Sequence, residues 1–338
     1  MALTTLTVMG QVTNGAVNAA TKYSVTDLGA FDPSGINNAG LVVGTGNVDG
    51  NHPHAVLYSH GQLRDIGILP NEDASYATGI NDLGQVVGYS EPLSQPPFRK
   101  THAFIYSCGQ LKDLGTFLGN YDSYAYAIDN AGQIVGTTCC SSGSGAFLFS
   151  NGYVRNLGFL PGGSVSAAYA IKTEGQAAGY SSSSTQPDQA VLFDNGKVQD
   201  LGISSTLGYR YSMARGINRK GQIVGLMFNE NESGDYHAFL YSKGKVQDLS
   251  TTKYPTGAAY GINNAGLVVG SAQTVSGKSV AVLYEHGQLL DLNTLISPIP
   301  GLVLEEAKGI NDVGKIVSSG RYGNGSPTHA FLLTPVSK

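Results

Sequence analysis

Tryptophan is absent from this 338-residue chain, cysteine occurs three times, and no apolar run reaches the roughly 18 residues of a membrane-spanning helix. Three cysteines are an odd number, so at least one is unpaired within the chain and a disulfide framework is not what holds the fold. Charge is scarce too: Asp, Glu, Lys and Arg supply 13% of residues, against the ~25% of an ordinary globular domain. The formal net charge is −4 and no block of five like charges occurs, which excludes the electrostatic footprint of a nucleic-acid binder or a polybasic membrane surface. Also missing are a Gly-X-Ser-X-Gly elbow, a phosphate loop and a His-Glu-X-X-His segment, the usual marks of serine nucleophiles, nucleotide sites and zinc proteases. Glycine is plentiful, with 46 residues or about twice its usual share, in a chain that is 41% hydrophobic and able to bury a core.

The glycines belong to a repeat. Gly-Ile-Asn occurs at Gly35, Gly79, Gly216, Gly261 and Gly309, with Ala127-Ile128-Asp129 and Ala170-Ile171-Lys172 as variants. The third positions (37, 81, 129, 172, 218, 263, 311) lie 44, 48, 43, 46, 45 and 48 residues apart, close to the ~40–50 residues of a four-stranded propeller blade. Each copy carries four strand signals in one order. Strand a ends in Gly-Ile-Asn, a link such as Asn81-Asp82-Leu83-Gly84 leads to strand b (Gln85-Val86-Val87-Gly88), strand c reads like His102-Ala103-Phe104-Ile105-Tyr106, and strand d ends like Asp113-Leu114-Gly115. Asn or Asp followed by Gly closes such hairpins by side-chain bonding and a positive φ.

The two ends of the chain complete one another. A strand d (Thr26-Asp27-Leu28-Gly29) precedes the first Gly-Ile-Asn, whereas the last strand c, His329-Ala330-Phe331-Leu332, has no strand d after it. A linear solenoid needs capping repeats, but a ring closes when the N-terminal strand joins the C-terminal blade. The expected fold is therefore all-β: a seven-bladed propeller of four-stranded antiparallel blades over residues 22–338, ring-closed by the N-terminal strand, which also removes free sheet edges. Residues 1–21 lie outside the repeat and read either as an arm or as a signal-peptide remnant, Val17-Asn18-Ala19-Ala20 resembling a cleavage site.

The recurring His-Ala-Phe-Leu-Tyr, Gly-X-X-X-Asp-Leu-Gly and Tyr-Ala-X-Gly-Ile-Asn-X-X-Gly-Gln-Val-Val-Gly segments over about residues 22–333 resemble the HAF-repeat proteins, predicted extracellular repeat proteins of bacteria named for His-Ala-Phe. The resemblance implies the propeller architecture and secretion, to the periplasm or outside the cell, and no particular reaction. Blades 3 and 4 depart most from the pattern, with Gly145 and Gln189 in place of the histidine and Asn156 in place of the aspartate.

Positions that break a strict repeat carry its individuality, and loops on a rigid scaffold are where function sits. The b–c and d–a connections, which emerge on one face, here the top, are long and unlike one another: 91–101, 159–166, 203–213, 226–236 and 293–303. On the innermost strand, the residue before the small Gly/Ala reads Ser34, Thr78, Tyr126, Tyr169, Arg215, Tyr260 and Lys308, with Tyr76, Tyr124, Glu305 and Glu306 just above. Tyrosines offer a stacking face and a hydroxyl, and Arg or Lys suits an anion. The candidate ligand site is therefore Tyr76, Tyr124, Tyr126, Tyr169, Arg215, Tyr260, Glu306 and Lys308 at a central top pocket; the plainer reading is that these residues only line and pack a water-filled channel.

Other candidates are less pointed. His54, His102, His237 and His329 share one repeat position and read as inter-blade hydrogen-bonding residues; His52 stands in a top loop and His60 and His286 in bottom turns. Asn229-X-Asn231-X-Ser233-Gly234-Asp235 alternates oxygen ligands as calcium loops do, but Leu240 stands where the bidentate glutamate belongs, so a solvated loop is the expectation, with calcium the one cofactor in view. Cys108 falls in a bottom turn and Cys139-Cys140 in a top loop; no Cys-X-X-Cys spacing supports zinc, and a vicinal bridge is the remaining pairing.

The leading expectation is a secreted, monomeric binding module whose top loops and central pocket recognise a glycan, an envelope polymer or a protein. A first alternative is a polysaccharide lyase or hydrolase with a Tyr/His base and Arg215 and Lys308 neutralising a carboxylate. A second is a purely structural envelope scaffold.

Overall fold

The computed structural model describes residues 21–336 except 49, 94–99, 116, 120, 141–142, 230–234 and 324. Residues 1–20, and with them the arm or signal-peptide reading, lie outside this set. Within it, strands form seven four-stranded antiparallel sheets. Six follow chain order; blade 2, for instance, is Ala74–Ile80, Val86–Glu91, His102–Ser107 and Gln110–Asp113. The seventh joins Leu302–Ile310, Ile316–Tyr322 and His329–Pro335 to the N-terminal strand Tyr23–Gly29, with Tyr23 opposite Pro335 and Asp27 opposite Phe331. This is the ring closure that the split repeat requires. The Asp27 carboxylate fastens it, accepting from the Tyr322 hydroxyl at 3.0 Å and lying 3.0 Å from His329 Nδ1. No helix among the described residues is long and apolar enough to cross a membrane.

The core lies between blades. One cluster unites Val87, Ala103 and Leu114 of blade 2 with Ala125, Ile128, Ile134 and Phe147 of blade 3. The third residue of the His-Ala-Phe pattern supplies large pieces: Phe104, Phe147, Phe239 and Phe331 are buried, each contributing roughly 1.5–3 kcal/mol, and Val191 takes that place in blade 4. The small residues of strand a make the axial contact. A Cβ added at Gly79 would come within 2.9 Å of the Tyr126 carbonyl oxygen and 3.2 Å of Ala127 Cα in the next blade.

Every strand a carries a β-bulge just before its Gly/Ala. In blade 2, Ala77 pairs with Gly88 and Gly79 with Val87, leaving Thr78 unpaired as the inserted residue. The same shift singles out Ser34, Tyr126, Tyr169, Arg215, Tyr260 and Lys308. A bulge bends its strand and re-aims a side chain. It also presses a strand-a carbonyl against strand b: a Cβ at Gly88 would lie 1.9 Å from Tyr76 O, and one at Gly136 1.9 Å from Tyr124 O, which is why Val-Val-Gly ends in glycine.

The repeat histidines depart from expectation. Their bonds run within a blade, from strand c to the Asp-Leu-Gly carboxylate of strand d: His54 Nδ1 lies 2.8 Å from Asp65, and His102 and His237 each lie 3.2 Å from Asp113 and Asp248. The aspartate two residues before the glycine also accepts its backbone N–H, which fixes it beside strand c. A buried serine near the start of strand a does bond blade to blade. Ser75, Ser123, Ser166 and Ser212 accept the amides of Ala55, Ala103, Ala146 and Ala190 of the preceding blade at 2.9–3.0 Å.

A five-residue helix, Ile203–Leu207, between flanking glycines of positive φ, and a 3-10 turn, Leu292–Thr294, occupy two top connections. Both are too short to leave a helical period in the sequence; buried Ile203 and Leu292 anchor them. Cys108 sits at positive φ in its bottom turn, and Cys108 and Cys139 are exposed free thiols, so Cys139 takes no part in a vicinal bridge.

Candidate functional site

The bulge residues form one layer around the axis, and they divide by size. Ser34 and Thr78 lie flat against the wall, their hydroxyls donating to the Ala77 and Ala125 carbonyls at 2.6 and 2.7 Å. From blade 3 onward the layer is large: Tyr126 and Tyr169 have ring centroids 4.7 Å apart, the Arg215 guanidinium stands 4.2 Å over Tyr169, and the Lys308 ammonium lies 5.7 Å from the Tyr260 ring.

Above Tyr126 and Tyr169 the rings continue as a belt. Tyr76 stacks on Tyr89 at 4.9 Å, Tyr89 meets Tyr124 edge-on at 5.0 Å, Tyr124 lies 6.5 Å from Tyr126, and Tyr169 lies 5.9 Å from Tyr180. All six rings are half-buried. Of the candidates, Tyr76, Tyr124, Tyr126, Tyr169 and Arg215 are thus brought into one run of contacts, and Tyr260, Lys308 and Glu306 form a second group in which Lys308 is ion-paired with Glu306. The sequence reading missed Tyr89 and Tyr180. Each directly follows a strand-b glycine, so the signal was a tyrosine in the second column facing the first.

Burial governs the electrostatics of the belt. It pushes Tyr76 and Tyr89 up to about 12, with the nearby Glu91 charge adding to it, and it also raises Tyr126, Tyr169 and Tyr180. These phenols stay protonated at neutral pH and act as hydrogen-bond donors. Burial would depress Lys308, but the bond to Glu306 and the charge of Asp32 outweigh it and raise the ammonium. Beside the axis at blade 7, a cavity of about 390 Å³ is lined by Asp32, Glu305, Glu306, Lys308 and Arg321, with Arg321 Nε 3.1 Å from Glu305. The mouth is therefore aromatic along blades 2–4 and charged along blades 7 and 1.

The suggested calcium loop is divided. Asn231 and Ser233 lie outside the described residues, Asn229 Oδ1 accepts the Arg210 amide at 2.9 Å, and Asp235 lies 3.3 Å from His237 Nε2. No cluster of three His, Cys, Asp or Glu fit for a metal occurs among the described residues.

The bottom mouth holds a second feature, a cavity of about 200 Å³ walled by the isoleucine of each of the seven repeats and the two polar residues that follow it. Two hydrogen-bond girdles surround it. In the first, the amide nitrogens of Asn37, Asn81, Asn218, Asn263 and Asn311 each donate to the carbonyl of the equivalent residue in the next blade, the last closing onto Asn37. In the second, the following residue's backbone N–H donates to the next blade's side chain, as Asn38 does to Asp82 and Asp312 to Asn38. Asp82 is lowered because donors from Asn130 and Asn38 outweigh the raising effect of burial. Both girdles lapse on either side of blade 4, where Asp129, Lys172 and Thr173 replace the donors and acceptors.

By fold, the chain is a seven-bladed β-propeller. No family model and no curated protein matches it. Solved structures do. The β-propeller domain of the Trilobed protease from Pyrococcus furiosus, described as having an open velcro topology, is 12% identical with a TM-score of 0.54, over 80% of this chain and 85% of that one. Pyrococcus horikoshii acylaminoacyl peptidase is 14% identical with a TM-score of 0.53, over 79% of this chain but 45% of its own length. Aleuria aurantia lectin is 12% identical over 80% of this chain and 94% of that one, and its TM-score of 0.43 is too low to bear on a ligand. At these identities the likeness speaks to the fold.

Proposed function

We propose that this chain is a glycan-binding propeller of the HAF-repeat kind, working outside the cytoplasm, with the tyrosine-lined top mouth as its binding surface. The supporting observation is the belt Tyr76, Tyr89, Tyr124, Tyr126, Tyr169 and Tyr180, half-buried rings in continuous contact beside the small residues Ser34 and Thr78. Such rings present flat apolar faces and protonated hydroxyls at low conformational cost, which suits sugar rings with hydroxylated edges. A lyase reading fares worse on two counts. Its tyrosine base would need a phenol brought down toward neutrality, and burial moves these phenols up. The repeat histidines that might assist are tied to strand-d aspartates on the outer strands.

The test is a broad glycan array probed with folded protein, followed by titration of any hit against Tyr169→Ala. Binding that falls about tenfold or more in the variant is expected, in line with the loss of a stacked aromatic contact. An array blank for correctly folded protein overturns the proposal in favour of the scaffold reading.

A further inference from the structure

Among the described residues, Arg215 is the charged member of the bulge layer with no ion-pair partner. Lys308 is paired with Glu306, whereas the Arg215 guanidinium has no carboxylate partner among the described residues, and its Nε is buried without an acceptor. It lies over the face of Tyr169. The terminal nitrogens make no hydrogen bond to the described residues and, unlike Nε, are not buried, so they remain accessible to a ligand. What stands across from them follows from the ring. Blade 5 is half a turn from the boundary of blades 1 and 2, where Ser34 and Thr78 are the two small members of the layer. The small members of the layer thus stand across the ring from Arg215, with Tyr126 and Tyr169 of blades 3 and 4 on one side of it and Tyr260 of blade 6 on the other.

We infer that the mouth takes an acidic glycan, a sugar bearing a ring carboxylate of the uronic-acid type, with the carboxylate on the terminal nitrogens of Arg215 and the ring face on the adjoining tyrosines. This rests on the glycan-binding reading and narrows it. A guanidinium held in a confined site without a counter-ion is a standing cost, and a ligand carboxylate relieves it through two parallel charge-assisted hydrogen bonds. A uronic acid carries its carboxylate at a fixed distance from a flat ring face, matching a guanidinium placed 4.2 Å from a tyrosine ring that continues into a belt.

The experiment measures binding of the intact chain to galacturonate, glucuronate and mannuronate oligomers and to their carboxyl-reduced counterparts, which keep the sugar but lose the charge. The expected result is uronate binding at least about tenfold tighter than the reduced form, with the preference erased in Arg215→Gln. Equal binding of charged and reduced oligomers, or a preference that survives Arg215→Gln, overturns the acidic assignment and leaves glycan binding standing. Failure of every oligomer, with the array also blank, removes both. Poly-glutamate bound as tightly as uronate in an Arg215-dependent way overturns the sugar in favour of an acidic peptide. Should Arg215→Gln fail to fold, as monitored by tyrosine circular dichroism, the charged-versus-reduced comparison on the unaltered protein decides alone.

Discussion

Asp129 shows how much one atom decides in the lower girdle. Its Oδ1 accepts the amides of Ala131 and Gln133 at 2.9 and 2.8 Å, as the girdle asparagines accept theirs, so Oδ2 stands where each asparagine carries its donating nitrogen. That oxygen is buried and unpartnered, and burial raises the carboxyl above the usual carboxylate range despite the two amides. Because the folded protein holds this proton more tightly than the unfolded chain, the group favours folding at acid pH, and the benefit is lost as pH rises through the folded-state pKa. Asp129→Asn should therefore stabilise the protein by about 1–2 kcal/mol at pH 7, restoring the missing bond, with a gain that shrinks toward pH 4. Thermal melts of both proteins at the two pH values check this; an equal gain at both would sink the titration argument. The sequence showed Asp129 as a variant of the repeat, but a substitution by one atom does not reveal from text alone that the lost atom was a donor to another blade.

At the scale of the strand, the bulge column was visible as the most variable position of strand a, yet its geometry was hidden. A bulge is a mismatch between two strands, and reading one strand at a time cannot show it. Its signature lay in the partner, the glycine ending Val-Val-Gly, where a side chain would meet the strand-a carbonyl at 1.9 Å. Blade 7 supports this reading: Ser318 replaces the glycine there, and its strand a carries a second register shift at Glu305. Gly88→Ala should accordingly cost about 3 kcal/mol or more in denaturant unfolding, since the obstructing group is backbone that cannot rotate away. A loss under about 1 kcal/mol would mean that the strand relaxes as blade 7 does. The histidine column was legible as a repeated polar residue but was assigned to the wrong neighbour, because spacing does not distinguish the next strand from the next blade. The buried serines recur visibly, four residues before the small position, but serine is common and its burial is not written in the chain.

Across the whole molecule, the number of blades, the order of strands and the closure between the ends were legible, since all three follow from counting repeats. The unevenness of the ring was not, because it arises from bonds between residues some 45 positions apart. The girdles run unbroken through the closure, from Asn311 to Asn37 and from Asp312 to Asn38, and lapse beside blade 4. Hydrogen exchange should therefore find the amides of Ser166–Ile171 losing protection before those of Leu302–Ile310, although the latter belong to the blade assembled from both chain ends. Faster exchange at the closure blade would contradict this. The joint between blades 4 and 5, open at the floor, is the one that Arg215 spans at the mouth by lying over Tyr169. A molecule seated on both residues would act as a keystone for the hoop, so that holding a ligand and holding the ring in shape become the same event.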